Sequence, residues 1–203
     1  MLHDAIKQRA HHVQGRLLDL GCGGGPYREL FSHVSSYIGL DIAPSQNVDV
    51  AADAQVLPFM DNCFDTVLCN EVLEHVAEPS QLMSEVARVL KPGGFLLLTT
   101  PQTWGLHHEP HDYYRYTHYG LRHQAEKAGL LVVSVTPTCG IWATSAQRIV
   151  DTIAHDFASS WPAGAVRLLS ILLGPVLLIG AALDKLSGAR GDTLDNVLVA
   201  RKP

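Results

Sequence analysis

The chain has 203 residues, enough for one α/β domain with a complete core and too few for two such domains. Its 47 % apolar and 17 % charged shares are those of an ordinary globular protein. The net charge is −5 with histidine neutral, and no cluster of Lys and Arg stands out, which argues against a nucleic-acid duplex as substrate because phosphate contacts demand a basic face.

The first fourteen positions, Met1 to Gln14, are polar and rich in histidine. They lack the apolar stretch of a secretory signal, so a cytoplasmic setting is the expectation. Arg16–Leu20 reads as a strand ending in an Asp-Leu pair, Tyr37–Asp41 as a second, and Val48–Ala52 as a short third. Only Ile42–Asn47 separates the second from the third, far less than a parallel crossover normally needs, so the third should be a short, irregular edge. Asp65–Asn70 and Gly94–Thr100 are near-continuous apolar runs, as buried parallel strands are. Between them Ser80–Leu90 places Leu82, Val86, Val89 and Leu90 on one helical face, and Lys91-Pro92-Gly93-Gly94 should stop that helix. Thr117–Ala128 predicts a helix closed by Gly129, and Leu131–Thr136 and Asn196–Lys202 predict the last strands. This alternation predicts a doubly wound α/β sheet with ligands at the carboxyl ends of its strands. The four cysteines (Cys22, Cys63, Cys69, Cys139) form no C-x-x-C pair and read as small buried hydrophobes.

The segment Leu17-Leu18-Asp19-Leu20-Gly21-Cys22-Gly23-Gly24-Gly25-Pro26-Tyr27 predicts a strand, a glycine turn and a helix whose free N–H groups would face a ligand. The dinucleotide fingerprint G-x-G-x-x-G fails here, because Pro26 holds the last glycine position. Asp19, so close to the loop, would repel a pyrophosphate and suits an ammonium or sulfonium cation. Both features disfavour a nicotinamide-dependent oxidoreductase. Asp41 ends the second strand at the spacing of a ribose-hydroxyl acceptor, and Asp53 follows the third where it would meet an adenine amino group.

With the glycine loop and Asp41 stand Ala52-Asp53-Ala54-Gln55-Val56-Leu57-Pro58-Phe59, Asn70-Glu71-Val72-Leu73-Glu74-His75-Val76 and Leu90-Lys91-Pro92-Gly93-Gly94. In this order they resemble the class I S-adenosylmethionine-dependent methyltransferases, in the group of small bacterial enzymes with one Rossmann-like domain. The resemblance covers about Gly15 to Thr136 and the last strand. It implies a seven-stranded sheet with an antiparallel final strand, before which the sequence itself places a helical insertion. It also implies that Asp19, Gly21, Cys22, Gly23, Asp41, Ile42, Asp53, Ala54 and the Asn70 backbone contact S-adenosylmethionine. The missing helix between the second and third strands departs from the family pattern.

On the acceptor side, a hydroxyl or amine nucleophile needs a proton removed. The loop His107-His108-Glu109-Pro110-His111-Asp112-Tyr113-Tyr114-Arg115-Tyr116 follows the fifth strand and is too polar for core. His108 and His111 are the candidate bases, and Tyr113, Tyr114 and Arg115 the candidate substrate walls. Glu71, Glu74 and His75 resemble a Glu-x-x-Glu-His arrangement that holds a divalent metal in some O-methyltransferases. The expectation is instead that Glu74 and His75 orient the loop without a metal.

The insertion, about Gly140–Asp192, should hold a helix near Trp142–Phe157 and an apolar one, Leu168–Leu183, interrupted at Gly174-Pro175. The latter is too short for a membrane span and too apolar for a solvated helix. A cap over an apolar acceptor, a peripheral membrane contact and a homodimer contact through 165–183 are the readings it allows. The expected function is therefore methyl transfer from S-adenosylmethionine to O or N of a small, apolar or lipid-like metabolite. The alternative is a non-catalytic S-adenosylmethionine-binding subunit that docks a partner through the insertion.

Overall fold

The computed structural model describes residues 1–154, 161, 163–188 and 191–203. The end of the stretch read as Trp142–Phe157 lies outside them. The described chain forms two compact units: residues 1–101, 106–136 and 196–203, and residues 102–105 with 137–195.

The first unit is built on a seven-stranded sheet of order β3-β2-β1-β4-β5-β7-β6. Its strands are β1 (Arg16–Leu20), β2 (Ser36–Asp41), β3 (Val50–Ala51), β4 (Phe64–Asn70), β5 (Leu90–Pro101), β6 (Leu131–Pro137) and β7 (Asp195–Arg201). The strand order reverses at β1, which pairs in parallel with β2 on one side and β4 on the other. That reversal opens the crevice in which doubly wound sheets bind ligands. The final strand runs antiparallel: Gly93 N donates to Lys202 O and Lys202 N to Gly94 O at one end of β5, while Gln102 N donates to Leu194 O at the other.

The strands read as continuous apolar runs because both faces are covered. Leu18, Leu20, Val67, Cys69, Leu96 and Leu98 pack with Leu82, Met83, Val86 and Val89 of α2 (Pro79–Val89) and Leu121 and Ala125 of α3 (His118–Lys127). The alternate residues Leu17, Leu68, Leu97, Val197 and Val199 face Ala5 and Ile6 of α1 (Leu2–Lys7), Val13, Tyr27 and Phe31. Period-two alternation thus divides each strand between two cores. Each fully buried Leu contributes about 1.5–3 kcal/mol over its exposed state. Thr117 caps α3 by accepting from Gly120 N at 3.2 Å. Gly129 (φ +81°) closes it, with Gly129 N donating to Glu126 O and Leu130 N to Ala125 O.

Two local expectations change. No α-helix follows the glycine loop; residues 26–34 form a run of turns. Their hydrogen bonds mix three- and four-residue spacing, Arg28 N to Gly25 O beside Phe31 N to Tyr27 O, so no helical ladder starts. Lys91–Gly94 is not a separate turn. Leu90 already pairs with Phe64, the register shifts before Thr66 meets Phe95, and Gly93 (φ +82°) carries the extra residues. The second-to-third-strand link does lack a helix, and β3 is a two-residue edge.

The second unit holds α4 (Ile141–Thr152) and α5 (Ala163–Ser187). α5 runs on through Pro175 rather than stopping there. Proline removes one N–H, and packing along α4 carries the helix past it. At Gly180 a Cβ would lie 2.8 Å from both Ala146 Cβ and Trp142 O, so the two helices approach as only glycine allows.

Candidate functional site

β1 and β2 deliver the glycine loop and Asp41 to the carboxyl edge of the sheet. Gly21 (φ +66°) turns the chain where an added Cβ would fall 2.2 Å from Val72 Cγ2. The loop amides are largely engaged within the protein. Gly21 N and Cys22 N donate to Leu40 O, Gly25 N to Cys22 O, and Gly23 N to Asp41 Oδ2 at 2.9 Å. The free amides expected at a helix N-terminus are therefore not the device here. Instead the short β2–β3 link closes on the loop: Asn47 Nδ2 donates to Gly24 O at 2.7 Å, and Asp49 Oδ2 holds Gly39 N and Arg28.

A cavity of about 630 Å³ lies beside this loop, within the range of small-molecule sites. Of the residues named from sequence, Gly21, Asp41, Ile42, Asp53, Ala54, His108, His111 and Tyr113 line it. Asp19, Cys22, Gly23, Asn70, Tyr114 and Arg115 are not among its lining. Asp19 is 2 % exposed and takes a hydrogen bond from Tyr37 Oη. Burial pushes its carboxyl up to about 7 against that bond. Cys22 is buried, and burial raises its thiol to about 11. The Asn70 side chain accepts from Thr99 Oγ1 at 2.8 Å. Tyr114 Oη donates to Ala77 O, and Arg115 grips Asp112 with two bonds of 2.6 and 2.7 Å.

Glu71, Val72, His75, Val76 and Ala77 also line the cavity, from the loop after β4. Glu71 and His108 both hold φ +53°, a region non-glycine side chains rarely adopt. Two such residues at one cavity mark it as a place where the fold tolerates strain for geometry.

His75 is the side chain whose role the spacing did not disclose. Its Nδ1 lies 2.6 Å from His111 O. A carbonyl only accepts, so Nδ1 carries the proton and Nε2 keeps a lone pair. Burial, with His107 nearby, lowers the tendency of the ring to charge. The His75 ring meets the rings of His107 and His108 edge-on, at 4.7 and 5.2 Å. Beside it Glu74 is fully buried; Oε2 accepts from Thr100 Oγ1, Oε1 has no hydrogen-bond partner, and burial raises the carboxyl to about 7. Glu74, His75 and His107 bring ligand atoms within 4.8 Å of one another, a donor set of one carboxylate and two imidazoles with the chemistry of a divalent-cation site.

The same groups tie down the loop after β5. Tyr113 N and Tyr114 N donate to Glu74 O. Asp112 accepts from His107 N and pairs with Arg115, which holds its carboxyl well below the usual range.

A family profile described as "Methyltransferase domain" matches residues 18–98. A ubiquinone biosynthesis O-methyltransferase of Xanthomonas oryzae pv. oryzae is 34 % identical over 113 residues, 48 % of this chain and 47 % of that protein. The chain thus spans about half the length of the curated relatives it matches. Among solved structures, the cyclase SpnF superposes with a TM-score of 0.66 at 23 % identity, over 100 % of this chain and 80 % of the other. A phosphoethanolamine N-methyltransferase 2 of Haemonchus contortus, in complex with S-adenosyl-L-methionine, gives 0.64 at 21 % identity, over 100 % of this chain and 52 % of the other. These likenesses establish the fold. The family match takes in the glycine loop, Asp41, Asp53 and the β4 loop, so residues 18–98 carry the pattern of a methyltransferase domain.

Proposed function

We propose that this chain transfers a methyl group from S-adenosylmethionine to an oxygen or nitrogen of a small, apolar or lipid-like metabolite. The observation that carries the reading is one cavity joining Gly21, Asp41, Asp53 and Ala54 to His75, His108, His111 and Tyr113. The first group offers two carboxylates for ribose hydroxyls and an adenine amine; the second offers imidazoles for a proton. Leu40, Val72, Val76 and Ala77 give the wall an apolar character that suits an apolar acceptor.

When bound, the cofactor supplies a methyl carbon made electrophilic by a sulfonium. Asp41 and Asp53 hold the adenosine portion, and the strained loop positions at Glu71 and His108 hold the acceptor in line. His75 Nε2, unprotonated because Nδ1 is committed to His111 O, takes the acceptor proton, with His108 and His111 as its neighbours in the cavity. Glu74 and Asp112 fasten the loop after β5 and need no metal for that role. Tyr114 and Arg115 support this loop from behind. The helical segment of about 140–192 is read as an insertion in one methyltransferase domain.

The test is release of S-adenosylhomocysteine with phenols and amines carrying alkyl chains of increasing length. Turnover should favour the longer chains. His75→Ala should lower kcat by about 10²–10⁴-fold with cofactor affinity kept. Full turnover in His75→Ala, His108→Ala and His111→Ala alike would remove the acid–base reading.

A further inference from the structure

We propose that the outward face of α5 docks this protein onto an anionic lipid surface. Gly180 sets the inward direction, since it lies against Ala146 and Trp142 O of α4. At 100° per residue, Ile171, Pro175, Leu178, Ile179 and Leu186 fall on the side away from Gly180, and Leu172 lies at the edge of that side. Every one of them is exposed; Leu178 is 73 % and Leu186 84 % exposed. The stripe runs about 22 Å along the helix at ~1.5 Å per residue. Monomers seldom leave so continuous an apolar face to water.

Charge selects the occupant. Among the described residues of 171–186, the acid is Asp184 and the base is Lys185. Asp184 is turned inward, where its carboxylate accepts from Gly140 N at 2.7 Å, Trp142 N at 2.9 Å and Ala143 N at 3.2 Å. It caps α4 and is withdrawn from the outer face. Lys185 is exposed and stands at the margin of the stripe. The outer face therefore presents apolar side chains with a cation at its border and no acid, the complement of a bilayer with anionic headgroups. Trp142 and Trp161 of the same unit are also about half exposed, and their amphipathic rings suit the headgroup level. No helix among the described residues is long and apolar enough to cross a membrane, so the contact is peripheral. The inference stands apart from the acceptor reading, because it uses no residue of the cavity.

The test is flotation of the full chain with vesicles of phosphatidylcholine alone and of phosphatidylcholine mixed in equal parts with phosphatidylglycerol. The protein should float with the mixed vesicles and less with the neutral ones. Leu178→Glu with Ile179→Glu should lower partitioning at least about tenfold, and Lys185→Glu should weaken the preference for anionic vesicles. Ile179→Ser serves as the milder variant, and an unchanged far-ultraviolet circular dichroism spectrum shows that each variant folds. Failure to float with either vesicle overturns the proposal, as does equal flotation of wild type and the Glu variants. A dimer in size-exclusion chromatography that these variants split, without vesicle binding, would assign the face to a second copy of the chain and overturn it as well.

Discussion

Asp19→Asn should stabilise the protein above neutral pH and leave it nearly unchanged in acid. Asp19 is almost fully buried, and burial lifts its carboxyl from 3.8 to about 7 despite the bond from Tyr37 and the charge of Arg28. The folded state therefore binds more protons than the unfolded state between these values. Stability is highest below the lower value and falls as pH climbs through the window. A shift of about three units corresponds to roughly 4 kcal/mol at most. The asparagine keeps an oxygen for Tyr37 and removes the ionisation, at the cost of whatever its N–H₂ leaves unpaired. Urea unfolding at about pH 8 should thus show a midpoint about 1–2 M higher for the variant, and near pH 4 the curves should converge. Parallel stability–pH profiles for the two proteins would refute this account of Asp19.

Asp41→Ala should weaken S-adenosylmethionine binding about 10–100-fold by calorimetry, since it deletes a charged acceptor at the ribose position and the partner of Gly23 N; an unchanged Kd would remove the assignment. Gly180→Leu should destabilise the α4–α5 pair by about 1–3 kcal/mol, read as faster proteolysis of that unit, because its Cβ has atoms at 2.8 Å. Turnover should survive exhaustive chelation if Glu74, His75 and His107 serve as a hydrogen-bonded anchor, whereas loss restored by a divalent cation would make them ligands.

Strands were legible because both faces of this sheet are buried, which leaves near-continuous apolar runs within Asp65–Asn70 and Gly94–Thr100, although the first residues of β5 read as the end of a helix and a turn. The acids at Asp41 and Asp53 were legible for a related reason: strand ends in this topology converge on one edge, so spacing alone locates them. The turns after the glycine loop were not. Asn47 and Asp49 reach this segment through Gly24 O and Arg28, and those contacts are not local in sequence. The role proposed for His75 was not legible for the same reason. Its tautomer is set by the carbonyl of His111, on another loop, and nothing in Glu71-Val72-Leu73-Glu74-His75 announces that partner. Asp112 reads as one polar residue among many until Arg115 and His107 N are seen to converge on it.

The central claim is that the cavity beside Gly21 and Asp41 takes the methyl donor. Titration calorimetry with S-adenosylmethionine, S-adenosylhomocysteine and NAD tests it most directly. The account predicts saturable binding of the first two, both weakened by Asp41→Ala, and none of NAD. Binding of NAD with no heat from either sulfur nucleoside would contradict it.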